Sequence, residues 1–272
     1  MAESVTARGV VLNLVRVSPR RAIAVRQLIE VGALFGFAAG AVRVAVARLT
    51  AQGLLESDER GSYRLGPAAR SVGEHVEQWR RGEARMRAWG GGFLAVILPP
   101  KPQRRARRAS LRALARMGFA EGPGGLWLRP DNLRVPFDAS RARLQDLGLE
   151  AEAELFVADR FSAGQRAQIE GLWPVTQLQK VYARNVRALE RSLARLPSMP
   201  HDQALVQSFL LGGEAIRVLA RDPLLPPQIM PCEGRAELTA RMLRYDEVGH
   251  EIWRRLPAEP ELKLLRGGRR AG

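Results

Sequence analysis

Three observations predict an α+β chain of several domains. From Phe37 to Leu55, Val42, Ala45, Val46 and Leu49 recur at three- and four-residue steps, and Gly53 then precedes two short apolar segments. Between Trp89 and Ala158, brief apolar runs bounded by proline and glycine alternate with a basic amphipathic stretch, as strands and a helix of one layered unit would. Beyond Leu172 the apolar residues keep helical spacing.

The N-terminal part is read as three short helices and a hairpin. Thr6 can cap a helix whose apolar positions are Val10, Val11, Leu14 and Val15, and Ser18-Pro19-Arg20-Arg21 breaks it. A second helix around Val25 to Ala33 offers Val25, Leu28 and Ile29 to the same core, and Leu34-Phe35-Gly36-Phe37 turns into a third, from Ala39 to Gln52. Arg43, Val44, Ala47 and Arg48 point away from that helix's apolar stripe. Gly53 stands where a helix end wants a left-handed residue. Leu54 to Ser57 and Ser62 to Leu65 then flank the turn Asp58-Glu59-Arg60-Gly61. This order predicts a winged helix-turn-helix over residues 1–66. In such a module the third helix enters the DNA major groove, Arg43 and Arg48 reach base edges or phosphates, Val44 and Ala47 meet thymine methyls, and Arg60 at the wing tip meets the backbone.

Composition is consistent with a DNA partner. The 272 residues are 46% hydrophobic, enough for two or three cores, and 43 Lys+Arg against 28 Asp+Glu give a formal charge of +15. Residues 67–118 hold 12 basic and 3 acidic residues, whereas 119–172 hold 6 and 9. The basic excess thus follows directly on the hairpin. Cys232 is the lone cysteine, which excludes an intrachain disulfide and a multi-cysteine zinc site. With neither a signal-like segment nor a membrane-length apolar run, the expected compartment is cytoplasmic, without a membrane partner.

Residues 67–88 read as a polar connecting helix carrying Val72, Val76 and Trp79, with His75 a surface residue that lacks a second metal ligand at i+4. Residues 89–160 form the middle domain. Phe93 to Leu98 is a buried strand, because it is brief and closed by Pro99-Pro100. Gly90-Gly91-Gly92 precedes that strand, and no Gly-Lys-Ser/Thr follows, so the glycines are not a phosphate loop. Arg104 to Phe119 is a basic amphipathic helix with Leu111 and Leu114 inward and Gly118 at its end. Leu126 to Arg129 and Ala153 to Ala158 are strands, separated by an acidic loop around Asp138 to Glu150. Strand, helix, strand, loop or helix, and strand over this span predict a ferredoxin-like α/β sandwich.

Residues 161–258 form a helical C-terminal domain. Leu178, Val181, Tyr182, Val186 and Leu189 stripe its first helix, Leu205 to Leu219 makes the second and Arg235 to Leu256 the third, with the proline-rich turn Arg221 to Pro227 before the last. Residues 259–272 are a basic tail, expected to be disordered.

Several of these stretches together resemble the PaaX family of phenylacetic-acid-degradation repressors. They are Ala41 to Leu49 with Gly53-Leu54-Leu55, Trp89-Gly90-Gly91-Gly92-Phe93, Met117-Gly118-Phe119, Leu126 to Pro130, and Asp222-Pro223-Leu224-Leu225-Pro226. The family pattern has Trp-Pro-Gly after Pro231, where this chain has Cys232-Glu233-Gly234. The resemblance implies a homodimeric bacterial repressor that binds double-stranded operator DNA through Arg43 and Arg48. It needs no cofactor and is released by an effector such as phenylacetyl-CoA or another acyl-CoA. Such a ligand carries phosphates and an apolar acyl end. Arg104, Arg105, Arg107 and Arg108 are candidate phosphate partners, and Trp127, Trp173 and Tyr182 candidate apolar walls; a solvated helix face and core packing are the ordinary roles of the same residues.

Two other classes fit parts of the chain. A metal-dependent nuclease on the ferredoxin-like fold would need paired carboxylates, but Asp131 and Asp138 form no recognisable pair at a strand end, and His201 and His250 have no neighbouring ligands. A winged helix used only for protein contacts would retain no promoter DNA. The sequence therefore predicts a regulator and not an enzyme.

Overall fold

The computed structural model describes residues 5–16, 22–58, 61–69, 78–100 and 103–255. It is α+β, with two small antiparallel sheets and a helical C-terminal region. Its contacts divide it into two units, Met1–Glu77 with Ala188–Gly213 and Leu243–Gly272, and Gln78–Arg187 with Glu214–Met242.

In the first unit, α1 (Ala7–Arg16) starts where Thr6 Oγ1 accepts the Gly9 N–H at 3.1 Å, and Val10, Val11, Leu14 and Val15 are all buried. α2 (Val25–Leu34) and α3 (Ala39–Ala51) follow. Of the positions assigned to the core of α2, Leu28 is buried, but Val25 and Ile29 are half-exposed and Val31 and Gly32 take the interior. The cause is close approach: a Cβ on Gly32 would lie 2.6 Å from Val42 Cγ2. β2 (Leu55–Ser57) and β3 (Ser62–Leu65) form the anticipated hairpin. A third strand, β1 (Ile23–Ala24), pairs with β3 to give the order β1-β3-β2. Two residues carry no period, so β1 leaves no sequence signal.

Gly66 closes this layer against the end of α3. A Cβ there would sit 2.3 Å from the Gly53 carbonyl oxygen, which is backbone and has little room to move. Gly66→Ala is expected to destabilise the unit by about 1–3 kcal/mol, read as a lower melting temperature.

The C-terminal helices are α7 (Val175–Arg195), α8 (His201–Ala220) and α9 (Glu233–Arg254), close to the three expected from their stripes. Within the first unit, Gln207 Nε2 donates to Ser192 Oγ at 2.7 Å, and Ser192 Oγ meets Tyr245 Oη at 2.9 Å. Phe209 packs edge-on against Phe35 and lies tilted against Trp253, whose Nε1 donates to Ser208 Oγ.

The second unit opens on a 3-10 stretch, Gln78–Arg85, broken at Gly82 (φ 46°). The connecting helix expected over residues 67–88 is therefore broken at Gly82; residues 70–77, with Val72, His75 and Val76, lie outside the described residues. β4 (Phe93–Ile97), α4 (Arg104–Arg116), β5 (Ala120–Glu121), β6 (Trp127–Pro130), α5 (Phe137–Asp146) and β7 (Glu154–Ala158) follow, and the antiparallel sheet runs β5-β6-β4-β7. β4 is central and buried on both faces, which is why it reads as a continuous apolar run. Leu94 and Val96 join Leu114, Phe119, Leu144 and Leu155 in one apolar cluster, while Phe93 packs edge-on to Trp89 and Phe161 on the other face.

Two features depart from the expected layout. Part of the acidic loop is helix α5, which buries Leu144 and Ser140 among exposed polar residues, too few apolar positions to show a period. α6 (Ala163–Glu170) was not anticipated; it buries only Ile169 and starts on a reciprocal cap between Ser162 and Gln165.

Candidate nucleic-acid interface

α3 separates its two faces cleanly. Val42, Ala45, Val46 and Leu49 are buried, whereas Arg43, Val44, Ala47 and Arg48 are exposed, Val44 by 50%. The helix contains no acidic residue, and neither the Arg43 nor the Arg48 side chain has an ion-pair or hydrogen-bond partner among the described residues. Two cations and two small apolar side chains are therefore presented together on one solvated surface. Nearby arginines are differently engaged, Arg26 with Glu30 and Arg64 with Glu56, each at 3.1 Å.

The turn before α3 is fixed by Gly36 (φ 80°) and by Phe37 N–H donating to the Gly32 carbonyl. The hairpin turn is held by Asp58, whose Oδ1 accepts the Ser62 N–H at 2.8 Å, with Gly61 at φ 72°. Arg60, the expected wing contact, lies outside the described residues.

The residues nominated for an effector occupy distinct settings in the second unit. Arg104, Arg105, Arg107 and Arg108 are exposed at the start of α4. Trp127 is half-buried on β6, against the apolar cluster. Trp173 is buried and its Nε1 donates to the Gly118 carbonyl at 3.2 Å. Tyr182, 1% exposed, donates its hydroxyl to Asp222 Oδ2 at 2.5 Å; burial, with the Asp222 charge next, drives its pKa far above the usual tyrosine value.

A buried charge network that the sequence did not reveal surrounds Asp222. Arg235, fully buried, donates Nε to Glu83 Oε1 at 2.6 Å, NH2 to Glu83 Oε2 at 3.1 Å and NH1 to Asp222 Oδ1 at 3.3 Å. Burial alone would lower the Arg235 pKa; the hydrogen bonds to Glu83 and the charge of Asp222 outweigh it and hold the guanidinium ionised. Asp222 Oδ1 also accepts the Leu224 N–H at 2.7 Å, and Leu224 takes a left-handed φ of 53°. Asn132 Nδ2 donates to the Leu224 carbonyl, also at 2.7 Å. Nearby, Arg129 is pushed down to about 10 by burial, so it stays charged at neutral pH, and it donates to the Met117 carbonyl. Cys232 lies beside Arg235 NH2 at 3.2 Å, and burial pushes its thiol up.

Within the second unit, Met117-Gly118-Phe119, Leu126 to Pro130 and Asp222 to Pro226 therefore meet, through the Arg129 bond to Met117 and the approach of Gly118 to Pro223. Gly118 (φ 78°) ends α4, and a Cβ there would lie 2.7 Å from Pro223 Cα. Gly118→Ala should cost about 1–3 kcal/mol through both strain and contact with Pro223, lowering the melting temperature.

The comparisons with known proteins bear on the region that contains α3. Residues 6–69 match a family model described as PaaX-like protein. The N-terminal region is similar to that family's model. No curated protein matches the chain. Among solved structures, this one is similar to the Uncharacterized protein Rv0674 from Mycobacterium tuberculosis, with a TM-score of 0.64 and 23% identity over 92% of this chain and 97% of that one. The likeness extends the shared fold well beyond the PaaX-like region. Among the described residues no group of acidic, histidine and cysteine side chains could hold a metal, and no helix is long and apolar enough to cross a membrane.

Proposed function

We propose that the chain is a DNA-binding transcriptional regulator of the PaaX type. In this reading it represses an aromatic, phenylacetate-type catabolic operon and releases its operator when an acyl-CoA such as phenylacetyl-CoA binds. The observation that carries the proposal is the exposed, acid-free face of α3 with Arg43, Val44, Ala47 and Arg48 unpaired, inside the region that matches the PaaX-like model. We read α1 to β3 as a winged helix-turn-helix, with α3 as the recognition helix and the β2-β3 hairpin as the wing. The sheet order β5-β6-β4-β7 with α4 and α5 is read as ferredoxin-like. A homodimer would duplicate the contact set and read half-sites related by a two-fold axis. The regulator acts in the cytoplasm and has no catalytic role.

Phosphate neutralisation gives this proposal a quantitative signature. With about 6–10 phosphates contacted, affinity should fall about 10³–10⁵-fold between 50 and 200 mM salt. A gel shift on the DNA upstream of its own gene, repeated across salt and with phenylacetyl-CoA, tests it. Selective binding with a steep salt slope and release by the thioester is the expected result. Selective binding that the thioester leaves unchanged would refute the effector, and no selective binding at any salt would refute the regulator.

A further inference from the structure

Within the first unit a cleft of about 630 Å³ opens, lined in part by Leu34 at the end of α2 and by residues of α7 and α8. The volume falls in the range of small-molecule sites. Its walls are apolar at Leu34, Val206, Leu210 and Leu211, and Leu210 is 40% exposed. Two cations stand on the same lining. Arg191 and Arg195, one helical turn apart on α7, are exposed and take no side-chain partner among the described residues. The acidic lining residue, Asp202, is engaged by the Gln203 N–H at 2.9 Å. Ser192 and Gln207 contribute polar groups already bonded to each other, and Ser192 is tied to Tyr245, so this part of the lining is held in place without a ligand.

We propose that this cleft binds a small amphipathic anion, its apolar chain against Leu34, Val206 and Leu210 and its anionic end on Arg191 and Arg195. An apolar wall beside two unpaired guanidiniums matches neither a purely polar metabolite nor a neutral lipid. The same chemistry is offered by a free carboxylate and by a phosphate-bearing acyl thioester. Occupancy also has a route to α3. Leu34 is the last residue of α2, Phe35 beside it packs on Phe209 of α8 with centroids 5.0 Å apart, and the turn through Gly36 leads directly into α3. A ligand against Leu34 is therefore expected to shift DNA affinity about fivefold or more, a consequence that rests on the DNA-binding reading.

Calorimetric titration of the full chain with octanoate, octanoyl-CoA, octanol and coenzyme A tests the site. Arg191→Gln/Arg195→Gln and Leu210→Glu serve as variants, with thermal melts to check that both fold. The expected result is binding of octanoate or octanoyl-CoA, with octanol at least tenfold weaker and each variant weakened at least tenfold. Octanoate binding identifies a carboxylate site; octanoyl-CoA binding without octanoate identifies a phosphate-bearing ligand. Failure of both to bind, or binding untouched by either variant, overturns the proposal. The same samples on upstream DNA separate the two readings. Ligand binding without DNA binding leaves the cleft and refutes the regulator; selective DNA binding without ligand binding refutes the cleft alone. DNA affinity unchanged by a bound ligand overturns the regulatory route.

Discussion

Arg235→Ala should cost the protein about 3–5 kcal/mol, the loss associated with removing one member of a buried ion pair and leaving its partners uncompensated. Asp222 would keep a carboxylate that is fully buried at its side chain, with Tyr182 Oη and the Leu224 N–H its remaining hydrogen-bond donors among the described residues and Arg85 the remaining nearby cation, and Glu83 would lose both of its charge-assisted bonds. Such a loss is a large fraction of the total stability of an ordinary domain. Chemical denaturation of the variant beside Arg244→Ala makes the comparison internal. Arg244 pairs with Glu247 where both side chains are about two-thirds exposed, 68% and 67%, and its removal should change stability by less than about 1 kcal/mol. Equal effects of the two substitutions would mean that the buried network contributes no more than a surface pair.

The second large effect is on DNA. Arg43→Ala and Arg48→Ala should each reduce operator affinity by about 1–3 kcal/mol if the arginine meets a base, and the salt slope should flatten by about one unit for each phosphate left without its guanidinium. Stability should barely change, because both side chains are exposed and unpaired on the described surface. Titration of fluorescent upstream DNA, with a thermal melt of each variant, separates weakened DNA recognition from a damaged fold. Unchanged affinity in the double variant would remove α3 from the interface.

What could be read from the sequence depended on how many residues each element gives to the core. α1 and α3 each bury four apolar residues at helical spacing, and their extents and inward faces follow from that pattern. β4 was legible because it is buried on both faces and closed by Pro99-Pro100. α5 and α6 were not, since α5 buries one apolar residue, Leu144, and α6 one, Ile169; α6 owes its start to a Ser162 cap. Leu111 was assigned inward on α4, yet Ser110, Ala113 and Leu114 are the buried positions, Ser110 being tied to Glu150 at 3.1 Å. A small polar residue paired across 40 positions leaves no periodic trace.

The candidate interface was legible for the same reason as α3: four inward residues fix which way Arg43 and Arg48 point. The Asp222 network was not, because Glu83 and Arg235 lie 152 residues apart and nothing local pairs them. The Asp222 to Pro226 motif could have signalled it, since an aspartate before a proline invites a turn in which its carboxylate takes a backbone N–H, as it does from Leu224.

The most direct test of α3 as the DNA-reading helix is selection of binding sites from a random duplex library by the wild-type chain, Arg43→Ala and Arg48→Ala. If the exposed face of α3 reads DNA, the wild type recovers one consensus, and each variant keeps it except for relaxed preference at a single base pair of each half-site. Recovery of no consensus by the wild type, or of the same consensus with undiminished preference by both variants, would contradict it.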